Sequence, residues 1–210
     1  MNLPNKLTVF RLILVLPLIV LFSLALSLPS EKATYQLQMT YMYSAGGVFA
    51  LAMITDWLDG WIARRRQEVT TFGKVFDPIA DKLVVVVSLI FLALLKVTPF
   101  FVPILVVMRD ICVDGTRILK AHRRGQVAAN MLGKMKTVLQ SVGILVVVFV
   151  APILNWGSGN QFEFIKASWQ LWMINATLLV SLLLAYVSGF WYIHQNLKTS
   201  KVTPMEHENA

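Results

Sequence analysis

Cysteine is almost absent from this chain. Its single Cys112 rules out an internal disulfide, so nothing points to an oxidised compartment. No Cys-x-x-Cys or mixed Cys/His spacing is present, which excludes the usual zinc arrangements. Charge is also scarce: 14% of residues are Asp, Glu, Lys or Arg and 57% are hydrophobic. A soluble domain has about 25% charged and about 45–50% apolar residues, so this chain lacks the polar surface a soluble domain needs. Internal repeats, low-complexity segments and a second domain are missing as well. What charge there is has one dominant sign, with a net of +8. Such an excess suits nucleic acid or an anionic membrane surface. The basic residues lie between apolar runs rather than along a soluble face, which favours the membrane and argues against nucleic acid.

The apolar runs are long. A helix crossing a bilayer needs about 20 residues, because the hydrocarbon core is about 30 Å thick and each residue rises about 1.5 Å. Six runs meet this, near 11–29, 39–66, 72–97, 99–124, 133–154 and 169–196. The third and fourth are apolar in one half and polar in the other. The expected fold is therefore all-α and polytopic, with six transmembrane helices in one domain over 1–198. The remainder, 199–210, reads as a polar, disordered cytoplasmic tail. The first run has a cationic start and small residues at Ala25 and Ser27, as a signal peptide would. Five further spans make a retained helix the simpler reading. Residues 2–10 form a short amphipathic stretch, expected as an interfacial N-terminal helix that anchors the chain at the membrane surface.

Lys and Arg set the orientation. With six spans, one side receives the basic residues from Lys6 and Arg11 through Arg64, Arg65, Arg66, Arg109, Arg117, Arg123, Arg124 and Lys134 to Lys198 and Lys201. The other side receives only Lys32, Lys96 and Lys166. Both termini are expected on the cytoplasmic side.

Four of the eleven acidic residues lie in or beside apolar runs: Asp56, Asp59, Asp77 and Asp81. An ionised Asp at a helix centre costs about 2.5–3.5 kcal/mol on insertion scales, so these carboxylates need a cationic partner. Asp56 and Asp59 are three apart on the second helix, and Asp77 and Asp81 four apart on the third. Each pair therefore shares a helix face. The two helices follow one another through a short turn. Both pairs sit at a similar depth, Asp59 roughly 7–8 Å inside the Arg64 end. Four facing oxygen donors suit Mg²⁺ or Mn²⁺, with room for two ions, a standard device for phosphoryl displacement. Gly60, Ala63 and Gly73 leave space beside the acids for a ligand or another helix. Interface ion pairs with Arg64, Arg65, Arg66 and Lys82 are a competing reading of the acids. An ion-coupled carrier is another, but the inverted halves or broken helices of carriers are not seen and the acids are at one end rather than the midplane.

Residues 56–81 follow the pattern D-x2-D-G-x2-A-R-x8-G-x3-D-x3-D. This resembles the signature of the CDP-alcohol phosphatidyltransferase family at every fixed position and spacing, and the six-helix layout is also similar to that family. The resemblance implies that a hydroxyl of a small alcohol attacks a phosphorus of a CDP-linked substrate and that CMP leaves. It implies that Asp56, Asp59 and Asp77 ligate the metals, with Asp81 near the second ion and acting as the catalytic base. Asp56, Gly60, Ala63, Arg64 and Gly73 would accommodate the CDP group. Homodimers are common in the family, so the same resemblance implies a homodimer.

The acceptor is written less plainly. Arg109 and Arg117 are eight apart on one face of the fourth helix. Lys134 and Lys136 open the fifth, and Lys82 follows Asp81. Such a cationic pocket suits a phosphorylated acceptor, although topology charges and pairing with Asp110 and Asp114 explain the same residues. The start, P-N-K-L-T-V-F-R, and the stretches M-R-D-I-C-V-D-G-T-R-I-L and G-K-M-K-T-V-L-Q resemble the branch of the family that makes phosphatidylglycerophosphate. They imply CDP-diacylglycerol and glycerol 3-phosphate as substrates, in a bacterial-type cell membrane with the active site facing the cytoplasm. Thr8 and Arg11 are then further candidates for substrate contact. Serine, inositol phosphate and phosphatidylglycerol remain alternative acceptors.

Overall fold

A computed structural model describes residues 3–28, 34–66, 71–122, 131–156 and 168–200. They form six helices: α1 (Leu3–Ser27), α2 (Tyr35–Arg66), α3 (Thr71–Leu94), α4 (Phe101–His122), α5 (Met131–Trp156) and α6 (Ser168–Ser200). The chain is thus all-helical, as its apolar runs require: backbone polar groups in lipid must be satisfied within the segment, and a helix does this. Among the described residues, four helices are long and apolar enough to cross a bilayer: α1, α2, α5 and α6. α3 and α4 fall short because charges occupy one half of each, Asp77, Asp81 and Lys82 in α3 and Arg109, Asp110 and Asp114 in α4.

Apolar side chains cover both the inside and the outside of the bundle. Phe22, Met42, Phe49, Leu89, Ile144 and Leu178 are buried in the core, while Ile13, Leu16, Val20, Ile54, Leu183 and Val187 face outward. A helix that is hydrophobic all round belongs in a large core or in lipid, and the outward residues fit lipid.

α1 packs on α2 and α3, α2 on α5, α5 on α6, and α4 on α6. α1 and α2 run antiparallel, since Arg11 reaches Asp59 at one end while Gln38 Nε2 donates to the Ala25 carbonyl at the other, 2.9 Å away. Phe22 of α1 stacks on Phe91 of α3 with ring centroids 5.6 Å apart. Gly143 lets α5 approach α6: a Cβ there would lie 2.8 Å from the Leu178 side chain and 3.1 Å from its backbone nitrogen. α3 ends in a Schellman-type turn. Lys96 takes φ 62°, its N–H donates to Ala93 (2.9 Å), and the Val97 N–H donates to Leu92 (3.0 Å). Asn175 of α6 secures that turn by donating to the Val97 carbonyl at 2.9 Å.

The N-terminus departs from expectation. Among the described residues no separate interfacial helix precedes the first long one; residues 3–10 are the opening turns of α1. Asn5, Thr8 and Arg11 are buried, in one stripe with Val15, Leu18, Phe22 and Ala25. The three- and four-residue spacing of that stripe continues an inward face from apolar to polar residues. Thr8 and Arg11 are held there by the acids they meet.

Candidate active site

The site lies where the start of α1, the end of α2 and the start of α3 converge. Helical spacing turns Asp56 and Asp59 to one side of α2 and Asp77 and Asp81 to one side of α3. α1 supplies the third wall, and its buried polar stripe points at both pairs.

Arg11 is the hub. Its side chain is 0% exposed. Nη1 pairs with Asp56 Oδ1 at 2.9 Å and also with Asp81, while Nη2 pairs with Asp59. One guanidinium therefore joins carboxylates from both α2 and α3, which establishes that the two acidic pairs face one another. The fourth carboxylate, Asp77, accepts a hydrogen bond from the buried Thr8 hydroxyl. Asp59 is buried, whereas Asp56 and Asp81 are 39% and 36% exposed and open the cluster on one side. Arg11 Nε is buried and has no hydrogen-bond partner among the described residues.

The donor chemistry fits divalent cations. Four carboxylates supply hard oxygens only, the set preferred by Mg²⁺ and Mn²⁺. In the present arrangement no three acidic side chains among the described residues converge closely enough to share an ion. The Arg11 guanidinium stands between them. Gly60 lies one residue after Asp59, partly exposed. Ala63 and Arg64 fall in the last turn of α2 and Gly73 in the first turn of α3; their surroundings are outside the described residues.

The second group of expected site residues forms a separate polar cluster among α4, α5 and α6. Asp110 Oδ1 accepts from Arg109 Nη1 at 2.9 Å and from Lys136 Nζ at 2.7 Å. Arg109 is further fixed to α6: Nε donates to the Ala185 carbonyl at 3.0 Å and Nη2 to Ser188 Oγ at 3.1 Å. A Cβ at Gly189 would meet Val113 Cγ2 at 3.3 Å and reach ordinary contact with Arg109 Nε at 3.6 Å, so the glycine keeps α6 close to Val113 of α4. Lys82, next to Asp81, pairs with Asp114 of α4 and so links α3 to this cluster. Arg117 lies on α4 and Lys134 on α5, with side chains outside the described residues.

Sequence reasoning placed the four acids together and paired Asp110 and Asp114 with nearby cations. It missed Ser188 and the Ala185 carbonyl as the groups that fix Arg109. The available signal was a Ser-Gly step, Ser188–Gly189, inside an otherwise apolar helix. It also missed that Asn5 shares the inward stripe with Thr8 and Arg11, which their spacing of three would have indicated.

The chain matches the family model for CDP-alcohol phosphatidyltransferases over residues 1–191. It is similar to curated proteins named CDP-diacylglycerol–glycerol-3-phosphate 3-phosphatidyltransferase. With that of Bacillus subtilis (strain 168) it shares 35% identity over 206 residues, covering 95% of this chain and 98% of the other. With that of Rickettsia typhi (strain ATCC VR-144 / Wilmington) it shares 33% over 192 residues, covering 91% and 94%. With that of Mycoplasma genitalium (strain ATCC 33530) it shares 38% over 151 residues, covering 70% of this chain and 64% of the other. A match that spans nearly the whole chain and includes every helix bearing the acidic cluster makes this protein a phosphatidyltransferase, a member of the CDP-alcohol phosphatidyltransferase family.

Proposed function

We propose that this protein transfers the phosphatidyl group of CDP-diacylglycerol to glycerol 3-phosphate, releasing CMP and forming phosphatidylglycerophosphate. The observation that carries the reading is the meeting of Asp56, Asp59 and Asp81 around Arg11, with Asp77 held by Thr8 beside them. It supports a site that concentrates anionic oxygens where a diphosphate must be handled. The near full-length similarity to enzymes named for this reaction supports the substrate pair.

The family is generally dependent on divalent metal. Asp56, Asp59, Asp77 and Asp81 are the residues that would hold it, as two Mg²⁺ or Mn²⁺ ions. Such ions neutralise the diphosphate and the departing CMP. Asp81 takes the proton from the acceptor hydroxyl as the hydroxyl oxygen forms its bond to the phosphatidyl phosphorus and the phosphoanhydride bond to CMP breaks. Its partial exposure gives that proton an acceptor on the open side of the cluster. Asp56, Gly60, Ala63, Arg64 and Gly73 line the CDP side. Arg109, Lys136 and Lys82, with Arg117 and Lys134, form the acceptor-phosphate side, where Asp110 and Asp114 hold the cations oriented until a phosphate replaces them. Thr8 and Arg11 sit between the two sides.

The remaining architecture belongs to the same reading. α3 and α4 complete a set of six spans, both termini face the cytoplasm, and the active site opens there in a bacterial-type cell membrane. Residues 1–198 act as one membrane domain, followed by a polar tail, and the enzyme works as a homodimer. The decisive assay is CMP release from CDP-diacylglycerol by purified protein in lipid. Release that needs both Mg²⁺ or Mn²⁺ and glycerol 3-phosphate is expected. Release only with serine, inositol phosphate or phosphatidylglycerol would replace the acceptor, and no release under any condition would favour an ion-coupled carrier.

A further inference from the structure

Arg11 is an unusual group to find at the centre of a metal-type carboxylate cluster. A fully buried guanidinium is costly unless paired, and here it pairs with three carboxylates on two helices. These helices contribute four acids, so one guanidinium charge leaves the cluster three charges short of neutral. Between the pairs, the Arg11 nitrogens lie within bonding distance of Asp56 Oδ1, Asp59 Oδ2 and Asp81 Oδ1, one oxygen of each of three acids that would hold the divalent ions. A guanidinium and divalent ions placed between the same acids compete for the same space and repel one another. Two divalent ions alone would balance the four acids; adding them with Arg11 still in place would leave an excess positive charge around a fully buried guanidinium.

We propose that Arg11 is an internal counter-cation, which holds the acidic pairs together before divalent ions load and is displaced from them when the ions bind. This rests on the reading of the four carboxylates as metal ligands. It explains why the α1 stripe carries a cation where a neutral donor would be simpler to bury. It also explains the unpartnered Nε, because a guanidinium tied on every nitrogen would be harder to release. Displacement frees a positive charge beside the place where a diphosphate would lie.

The test compares wild type with Arg11→Gln, purified in Mn²⁺ and then stripped with EDTA. Mn²⁺ binding is followed by the electron paramagnetic resonance of the free ion, and thermal unfolding is measured with and without Mn²⁺. Arg11→Gln should unfold several degrees below wild type in EDTA. The two should converge in saturating Mn²⁺, and the variant should bind Mn²⁺ about tenfold or more tightly. Arg11→Lys, which keeps the charge but not the fork that bridges three carboxylates, should fall between them. It carries the comparison if Arg11→Gln does not survive stripping. An equal stability deficit with and without Mn²⁺ would make Arg11 an ordinary structural cation and overturn the proposal. So would unchanged or weaker Mn²⁺ binding in the variants. Absence of Mn²⁺ binding in all three proteins would remove the metal-ligand reading itself, and the proposal with it.

Discussion

Arg109→Ala tests the acceptor side of the site most directly. Arg109 makes three contacts: Asp110 at 2.9 Å, the Ala185 carbonyl at 3.0 Å and Ser188 Oγ at 3.1 Å. They aim a guanidinium at the space beside Lys136 and hold it there at little further entropic cost. A hydrogen bond to a charged group nets about 1.5–3 kcal/mol. If one such bond goes to the acceptor phosphate, its loss lowers kcat/KM for glycerol 3-phosphate by about 10- to 150-fold. The corresponding value for CDP-diacylglycerol, measured at saturating acceptor, should change by less than about threefold. Removal of the side chain also cuts the tie between α4 and α6, at about 1–3 kcal/mol of stability. CMP release should therefore be titrated against each substrate on protein shown by thermal unfolding to be folded at the assay temperature. Ser188→Ala is the graded control. It removes one neutral partner, about 1 kcal/mol, and should cost less than about tenfold toward glycerol 3-phosphate. Equal losses toward both substrates would refute the placing of Arg109 on the acceptor side.

Three other substitutions probe different parts of the molecule. Asp81→Asn should lower turnover by about 10²–10⁴-fold, the usual contribution of a general base, while CDP binding measured by calorimetry stays largely intact; near-normal turnover would remove Asp81 as the base. Gly143→Val should destabilise the protein by about 1–3 kcal/mol through overpacking, because the Leu178 backbone nitrogen, 3.1 Å from the new Cβ, moves only if α6 moves. An unchanged unfolding temperature would show that α5 and α6 part readily. Lys96→Gly should stabilise by about 0.5–1 kcal/mol, relief of the left-handed strain outweighing the added freedom of the unfolded chain. A lower unfolding temperature would contradict this and point to contacts made by the Lys96 side chain.

Much of the fold was legible beforehand because helix formation in lipid is a local matter. Apolar runs become helices whatever their neighbours, and the six runs fall on α1 to α6, four of which are long and apolar enough to cross a bilayer. The start of α1 was misread for the same reason. Thr8 and Arg11 look like surface residues until the acids of α2 and α3 are placed against them. Spacing put each pair of acids on one helix face, but it carried no information on which cation they meet.

Sequence alone determined the helices, the pairing of Asp56 with Asp59 and of Asp77 with Asp81, and the eight-residue pattern of the family. Each depends on periodicity or spacing within one stretch of chain. Tertiary structure decided that Arg11 stands between the acidic pairs, joining residues 48 and 70 positions away. It also decided that Arg109 and Lys136 share Asp110, and that Ser188, 79 positions from Arg109, completes the arginine's cradle. Such ion pairs form between helices, and which side chains meet is set by how the helices dock, a choice that no single stretch of chain contains.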